Sequence, residues 1–303
     1  MPALIDMSLL PAPAVVAPAD FEAILLARKA RLLALYSEAE RPSIALALAL
    51  ESEPIVKLLE ESAYTELLLR ARINDAARAV MLPWSTGTDL DNLAAFYDVP
   101  RLVITPADPD AIPPVPAVLE SDADFRRRIQ LAPAAMTNAG TRDAYLFHAL
   151  SADGEVKGAH VANPEPGEVL VTVLSREGDG AASLDLQGVV YARLNADDVR
   201  ALCDSLVVQS ATIVDYTVEA VIDVLPGPSP AAVLEAATAA LTATLADLHN
   251  LGRNITRSAL FAALHQPGAQ GVSLTSPAAD IDIADDEAGY CTTVTVTLGS
   301  IGL

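Results

Sequence analysis

The chain has 303 residues, with 40 acidic and 19 basic side chains and a formal net charge of −21. Acidic residues outnumber basic ones along its whole length, by 14 to 9 over residues 1–101, 16 to 8 over 102–212 and 10 to 2 over 213–303. Because neutralising phosphates requires clustered Lys and Arg, this balance argues against a nucleic-acid partner, and the length predicts two or three domains.

The spacing of the cysteines and the composition of the N-terminus indicate the cellular compartment of the chain. Cys203 and Cys291 belong to no paired spacing, which is typical of a reducing compartment, argues against a thiolate-rich zinc site and predicts two small buried side chains. Residues 1–19 form a Pro/Ala-rich arm without the basic start of a signal peptide. The longest apolar run nearby, residues 44–50, is far shorter than the ~20 residues that span a bilayer. We therefore expect a cytosolic chain with no membrane partner.

The first hundred residues are predicted to be almost entirely helical. The predicted helices begin after Asp20 and then span residues 42–52, 55–82 and 89–97. Asp20 and Thr88 are expected to accept hydrogen bonds at the starts of the first and fourth helices. Pro54 suits the first turn of the third helix, which contains neither Pro nor Gly before Pro83.

The third helix is the longest predicted element, at about 40 Å for a rise of ~1.5 Å per residue. A 3.6-residue period places one apolar stripe along it, consisting of Ile55, Leu58, Leu59, Leu69, Ile73, Ala76, Ala77 and Val80. Leu67 and Leu68 widen the apolar surface beyond this stripe, while Glu66 and Arg70, spaced i and i+4, project near it. Two interpretations stay open: a helix packed on two sides within its own chain, or a helix bundle shared between chains.

The remaining residues predict an α+β architecture. Residues 102–119 are rich in proline and lack a helical period, which predicts an extended connector. The predicted strands cover 155–161, 168–174, 206–214, 216–225, 271–275 and 292–298, and the predicted helices start near residues 121, 141, 184, 229 and 256. The whole chain is thus expected to be a multidomain α+β protein with an N-terminal arm and helical segment (1–101), a connector (102–119) and two tandem sheet-plus-helix modules (120–214 and 215–303).

No pattern in the sequence assembles a nucleophile, a base and an orienting group. The chain lacks the G-x-S-x-G, H-E-x-x-H, P-loop and G-x-G-x-x-G motifs, and residues 178–180 predict a turn rather than a phosphate loop. The four histidines (His148, His160, His249 and His265) are scattered, and the last two lie near predicted helix C-termini, where they can interact with the final carbonyls. We predict a non-enzymatic chain with no catalytic residue, no cofactor and no metal.

The acidic segment 280–287 provides the alternative to that prediction. Its carboxylates resemble those of a calcium loop, but Asp285 stands where such a loop needs Gly and Cys291 where it needs Glu. Alternation of Asp with Ile fits a strand with one wet face better. An enzyme with an acidic site here remains the competing hypothesis, and it predicts calcium-dependent stability.

Four stretches of the chain resemble the baseplate J-like family, the inner-baseplate wedge proteins of contractile phage tails and related tail-like particles. In chain order they are Ala77-Arg78-Ala79-Val80 leading to Gly87-Thr88-Asp89-Leu90-Asp91-Asn92-Leu93-Ala94 with Tyr97 and Arg101; Glu120-Ser121-Asp122 with Phe125, Arg126, Arg128 and Ile129; Ala139-Gly140-Thr141 with Ala144, Tyr145 and the strand pair that follows; and Ile255, Ser258 and Leu260 with Ala263-Leu264 and Gly271-Val272. Each stretch alone is only a cap, a turn or a core face. Together, in the family's order, they extend over nearly the whole chain.

The resemblance implies structural work without catalytic residues or cofactors. It implies two copies per wedge, a smaller tail protein that joins their N-terminal helices in a bundle, and six wedges that close a ring around the central hub. The C-terminal modules are expected to contact neighbouring wedges, and the central hub and sheath proteins are further expected partners of the chain. The ring is expected to rearrange and transmit the trigger when the sheath contracts. The implied location is the tail baseplate of a virion assembled in the host cytoplasm, or of a tail-derived killing device.

On this chain the shared bundle would use the third helix. The expected interface residues are Ile55, Leu58, Leu59, Glu66, Leu67, Leu68, Arg70 and Ile73. Residues 102–119 are the expected hinge between the unequal surroundings of the two copies, and shortening them is expected to block ring closure but not folding. The competing interpretation is a non-catalytic secreted or adhesive binding module, which predicts an export signal.

Overall fold

The computed structural model describes residue 5 and residues 7–11, 13, 15, 20–137, 139–227 and 229–302. The chain forms two compact units, Met1–Pro100 (unit 1) and Arg101–Leu303 (unit 2). Helices dominate unit 1, while unit 2 contains small sheets covered by helices, which confirms the predicted α+β class.

Unit 1 contains the predicted helices with shifted ends. They are α1 (Phe21–Ala34), α2 (Arg41–Leu48), α3 (Pro54–Ala79) and α4 (Gly87–Ala94), with short 3-10 turns at Met7–Leu9 and Ala95–Tyr97. Asp20 accepts a hydrogen bond from the Glu22 amide, as predicted. The predicted cap at Thr88 is wrong, because α4 begins at Gly87, two residues before the predicted start, and Thr88 lies within its first turn.

A small apolar core joins α1 to α3. Its buried residues are Ile24, Leu25 and Ala63, with Phe21, Leu59 and Leu67 packed around them. Ala63 leaves room for close approach of the two helices, and Leu59, Ala63 and Leu67 recur at a spacing of four along α3. The line of α3 that contacts α1 is therefore not the stripe with the most apolar residues.

Residues 102–119 differ from the expected extended connector, because they fold back as a hairpin. Strand β1 (Val103–Thr105) pairs antiparallel with β2 (Val118–Leu119). The amide of Glu120 donates to the carbonyl of Leu102 at 2.9 Å, so the two ends of the segment lie side by side within unit 2. The number of residues in the segment consequently does not determine the distance between its two ends.

This geometry predicts that the hairpin can be shortened at little cost. Replacing residues 106–117 with an Asn-Gly turn retains both strands and shortens the closed loop, which changes the free energy of loop closure by only about 1.5 kcal/mol. We expect the free energy of unfolding of unit 2, measured by denaturant titration with far-UV circular dichroism, to change by no more than about that amount. A loss of several times this value would mean that the hairpin tip contributes packing to the module.

The first sheet-and-helix module of unit 2 surrounds one buried core. Its elements are α5 (Asp122–Leu131), α6 (Arg142–Leu150), β3 (Val156–Ala162), β4 (Glu168–Ser175), α7 (Leu184–Leu194) and β5 (Ser205–Ser210). The sheet order is β3-β4-β5, with β3 antiparallel and β5 parallel to β4, so α7 is the crossover between parallel strands. Ser121, Thr141 and Ser183 each accept an amide hydrogen bond at a helix start.

The second module begins at Ala211, after a break that the sequence analysis placed near Asp215. Its elements are β6 (Thr212–Val224), α8 (Pro230–Leu248), α9 (Arg257–Leu264), β7 (Ala269–Ser276) and β8 (Glu287–Ile301). The sheet order is β7-β6-β8, with β7 antiparallel and β8 parallel to the central strand. Alternate residues of β6, from Tyr216 to Val224, are buried in a core shared with α8 and α9.

Helix α8 has the length and apolar composition of a membrane-spanning segment, the single such helix among the described residues. In this fold Val233, Ala237 and Leu241, four residues apart on one face of α8, are buried against the sheet. Ser229 precedes the helix as expected, but its side chain makes no capping hydrogen bond.

Candidate functional site

The long helix α3 presents a second apolar face that nothing within the described part of unit 1 covers. Leu58, Leu69 and Ile73 on the helix, and Val80 directly after its last residue, are exposed, at 71%, 57%, 49% and 69% of their surfaces. They lie along one side of the helix, next to the line of Leu59, Ala63 and Leu67 that packs on α1. Monomeric proteins rarely leave such a row of large aliphatic side chains in water, so this face is the candidate interaction surface.

The eight expected interface residues separate into two sets. Leu59 and Leu67 pack against α1, and Glu66 and Arg70 form ion pairs beside that contact. Leu58, Leu68 and Ile73 are exposed, and Ile55 is half-buried. Periodicity located the apolar surface but could not decide which of its two lines α1 covers.

The predicted Glu66–Arg70 pair is part of a larger network that includes Arg28 of α1. The Glu66 carboxylate accepts from Arg28 Nη2 at 2.7 Å and from Arg70 Nη2 at 2.5 Å, and Arg28 also donates to the Ser62 hydroxyl. These two guanidinium groups hold the pKa of Glu66 below its usual value. The sequence analysis missed Arg28, since its partners lie 34 and 38 residues away.

Beside this network, α1 and α3 enclose an open groove of about 660 Å³. Apolar side chains of Ile24, Leu32 and Leu59 line it, and Arg28, Glu66 and Arg70 stand at its side. The groove is therefore amphipathic, like the facing surfaces of helices in a bundle.

The acidic segment 280–287 makes internal protein contacts. Asp280 accepts from the Arg257 amide, Asp282 accepts from the Asn254 side chain, and Asp285 lies 3.8 Å from His160. Within the described ranges, no three His, Cys, Asp or Glu side chains are grouped to hold a metal ion. The carboxylates thus act as capping and bridging groups between loops.

Two side-chain expectations are wrong. His249 does not interact with the end of its own helix, because its Nδ1 lies 2.8 Å from the Gly289 carbonyl and its ring meets Tyr290 edge-on. Burial lowers the pKa of His249. Cys203 is exposed rather than buried, whereas Cys291 is half-buried.

A buried ionic cluster at the base of the hairpin was not predicted. The Glu120 carboxylate lies 3.1 Å from Arg128 Nε, and both side chains are 3% exposed. Arg101 donates to the Glu120 carbonyl, pairs with Asp122 at 2.8 Å and stacks over the Phe125 ring. The sequence suggested only a helix cap here, because Arg101 and Leu102 reach Glu120 from 19 and 18 residues away.

The cluster supports the base of the hairpin, and the space among its side chains is too small to admit a substrate. Arg176 extends it, donating to Asp124 at 2.8 Å and to the Gly154 carbonyl. The space among these charges is only about 10 Å³, room for no more than one water. Its role is to fix the base of the hairpin on the first module.

Comparisons with known proteins agree at both ends of the chain. The family model described as Baseplate J-like N-terminal domain matches residues 51–108, which include α3 and α4. The model described as Baseplate J-like protein C-terminal domain matches residues 216–297, most of the second module. Baseplate protein J of Escherichia phage P2 is 49% identical over 296 residues, which cover 98% of this chain and 98% of that protein.

Proposed function

The chain belongs to the baseplate J-like family, and we propose that it is a non-enzymatic structural component of the inner baseplate wedge of a contractile tail. In this proposal two copies pair through their N-terminal helices and join a smaller tail protein. The wedges then close a ring around the hub and transmit the contraction trigger to the sheath. The chain would act in the tail of a virion assembled in the host cytoplasm, without a cofactor.

The observation that carries the proposal is the exposed face of α3. Burying its four large aliphatic side chains (Leu58, Leu69, Ile73 and Val80) against partner helices removes apolar surface from water at about 25 cal/mol per Å². A helix of 26 residues is also about twice the usual length, which suits a shared bundle better than a core confined to unit 1.

The amphipathic groove supports a helical partner for the same region. Its apolar floor and the Arg28–Glu66–Arg70 network would accept a helix with an apolar stripe and polar flanks. A smaller tail protein could occupy the groove while a second copy covers the exposed face. Both contacts would then lie within residues 1–101.

Residues 102–119 do not have the form of the expected hinge, because they fold back as a hairpin. Because Leu102 and Glu120 are hydrogen-bonded neighbours, shortening the segment does not change a span that ring closure would need. The hairpin tip is instead an exposed surface, with Ile112 at 99% exposure.

The decisive experiment is the native mass of the purified chain, alone and co-expressed with the neighbouring tail genes. A dimer that captures one smaller protein is expected. A stable monomer that binds none of the tail proteins would overturn the proposal.

We expect the double variant Leu69→Asp/Ile73→Asp to lose the dimer and to keep the captured protein, because both positions lie on the exposed face and neither lines the groove. Buried carboxylates at these positions would have no partner, whereas in the free chain both positions face water, so folding should change by less than about 0.5 kcal/mol each. Native mass spectrometry measures the assembly, and circular dichroism checks the fold.

Tyr64→Asp is the matched control. Tyr64 lies on the same helix and is also half exposed, but it faces away from both the α1 contact and the exposed stripe. It should assemble normally. Equal losses in Tyr64→Asp and in the double variant would show that the exposed stripe has no special role.

A further inference from the structure

One stripe of α1 lines the groove between α1 and α3 over the whole length of the helix. Ala23, Ala27, Arg31 and Leu35, spaced four residues apart, all line the groove. Asp20, which accepts the capping hydrogen bond at the start of α1, lines it as well. Because the Pro/Ala-rich arm ends directly before Asp20, the arm joins the folded part of unit 1 at one end of this groove.

Both the groove and the arm leave apolar surface in water. Leu35, at the far end of the groove, is 78% exposed. In the arm, Leu9, Leu10 and Val15 are exposed as well, at 80%, 39% and 57% of their surfaces. Bringing the arm onto the groove removes apolar surface of both from water, at about 25 cal/mol per Å².

The arm has the composition of an extended segment that suits a groove lined by arginines. It contains four prolines and one charged side chain, that of Asp6, so it has no cation that the arginines would repel. Arg28 and Arg70 both pair with Glu66, whereas Arg31 forms no ion pair among the described residues. The backbone carbonyls of an extended Pro-rich chain have no internal partners, so they can accept hydrogen bonds from the Arg31 guanidinium.

The arm is long enough to lie along the whole groove. The 14 residues of α1 span about 21 Å, and about seven residues of an extended Pro-rich chain cover the same distance at ~3.1 Å each. A turn before Asp20 uses about two further residues. On this count Val15 reaches the level of Ala27, and Leu10 reaches the level of Leu35.

We propose that the arm folds back onto the groove of its own chain, antiparallel to α1, with Val15 beside Ala27 and Leu10 beside Leu35. This contact is a property of the single chain. Its consequence for assembly rests on the function proposed above, since the helix of the smaller tail protein would have to displace the arm from the groove. The arm thus competes with that helix and lowers its apparent affinity.

A matched pair of disulfide variants tests where the arm lies. Both are full-length chains that also carry Cys203→Ser/Cys291→Ser. Val15→Cys/Ala27→Cys joins the arm to the groove. Val15→Cys/Leu26→Cys joins it to the adjacent position of α1, which is 70% exposed but does not line the groove. The two pairs differ by one residue in sequence separation, so the path of the arm decides which of them closes.

The measurement is the rate of intrachain disulfide formation on oxidation at low protein concentration, followed by mass spectrometry of the digested monomer. The Ala27 pair is expected to close several-fold faster than the Leu26 pair, because only the first brings its Cβ atoms within disulfide reach. Equal rates would overturn the proposal. A disulfide-linked dimer as the main product of the Ala27 pair would also overturn it, because the arm would then lie on a second copy.

Labelling of single cysteines checks the contact without a disulfide. In the same serine background, a maleimide dye should modify Ala27→Cys more slowly than Leu26→Cys, because the arm covers only the first position. Adding Leu10→Lys/Val15→Lys should remove the difference, because two lysines would face the arginines and the apolar floor of the groove. A difference that persists would show that the groove alone shields the cysteine, and would contradict the proposal.

Neither measurement involves a second tail protein or the exposed face of α3. A failure of the arm contact would therefore leave the proposed wedge function standing, and a monomer that captures no tail protein would leave the arm contact standing.

Discussion

Replacing Glu120 with alanine is expected to lower the free energy of unfolding of unit 2 by about 3–5 kcal/mol. The substitution leaves the Arg128 guanidinium buried at 3% exposure without its carboxylate. It also removes the acceptor of the Leu102 amide at the base of the hairpin. Burial raises the pKa of Glu120 and lowers that of Arg128, which shows that desolvation opposes the pair even while it is intact. The pair therefore fixes the conformation of the hairpin base more than it contributes to the free energy of folding.

This interpretation predicts a non-additive double variant. Glu120→Gln/Arg128→Met keeps an acceptor for the Leu102 amide and removes both charges, so it should cost less than Glu120→Ala alone. Urea titration followed by far-UV circular dichroism measures the four corners of the cycle. Asp285→Ala, which removes an exposed carboxylate beside His160, is the control and should change stability by less than about 0.5 kcal/mol. Additive costs of the two substitutions would contradict a coupled buried pair.

Lowering the pH from neutral to 4 is expected to cost unit 2 about 3 kcal/mol through His148 alone. Burial, with the Arg193 guanidinium 3.2 Å away, lowers the pKa of His148 from 6.5 to about 4, and Asp198, which pairs with Arg193, opposes the shift. The folded state thus binds this proton less readily than the unfolded state. The contribution of His148 to the free energy of unfolding is therefore fully present above pH 6.5 and is lost progressively as the pH falls toward 4.

The His148→Gln variant isolates this contribution. Glutamine accepts a hydrogen bond from Arg193 but does not titrate, so the difference in unfolding free energy between the wild type and the variant should shrink by about 3 kcal/mol between pH 7 and pH 4. Urea titrations at several pH values measure it. His265→Gln, which alters an exposed histidine, is the matched control and should change the free energy of unfolding at neutral pH by less than about 0.5 kcal/mol. A constant difference between wild type and His148→Gln would show that the buried ring accepts its proton normally.

Local patterns predicted most elements of this fold. Asp20, Ser121 and Thr141 cap the helices that their positions indicated, and the change from a 3.6-residue to a two-residue period near residue 155 marks the first sheet. These features depend on residues within one turn or one strand. Neighbouring residues therefore contain the information that determines them.

What the sequence could not show depends on contacts between distant residues. Proline prevented a helix at 102–119, but the return of the segment on itself depends on Leu102 meeting Glu120. The apolar period of α3 identified two candidate lines, and only the position of Ile24 and Leu25 on α1 selects one. Likewise, His249 stood at a helix end in the sequence, while its partner Gly289 lies 40 residues away.

The nearly continuous run of β5 and β6 has a mechanical consequence. Only Ala211 separates the two strands, so residues 205–224, with a contour length of about 65 Å, belong to both sheets. β5 is parallel to β4, and β6 is parallel to β8. Tension along this segment loads the hydrogen bonds of each ladder in shear, so they resist together rather than opening one at a time. A force applied to one module is consequently transmitted to the other with little extension of the chain between them.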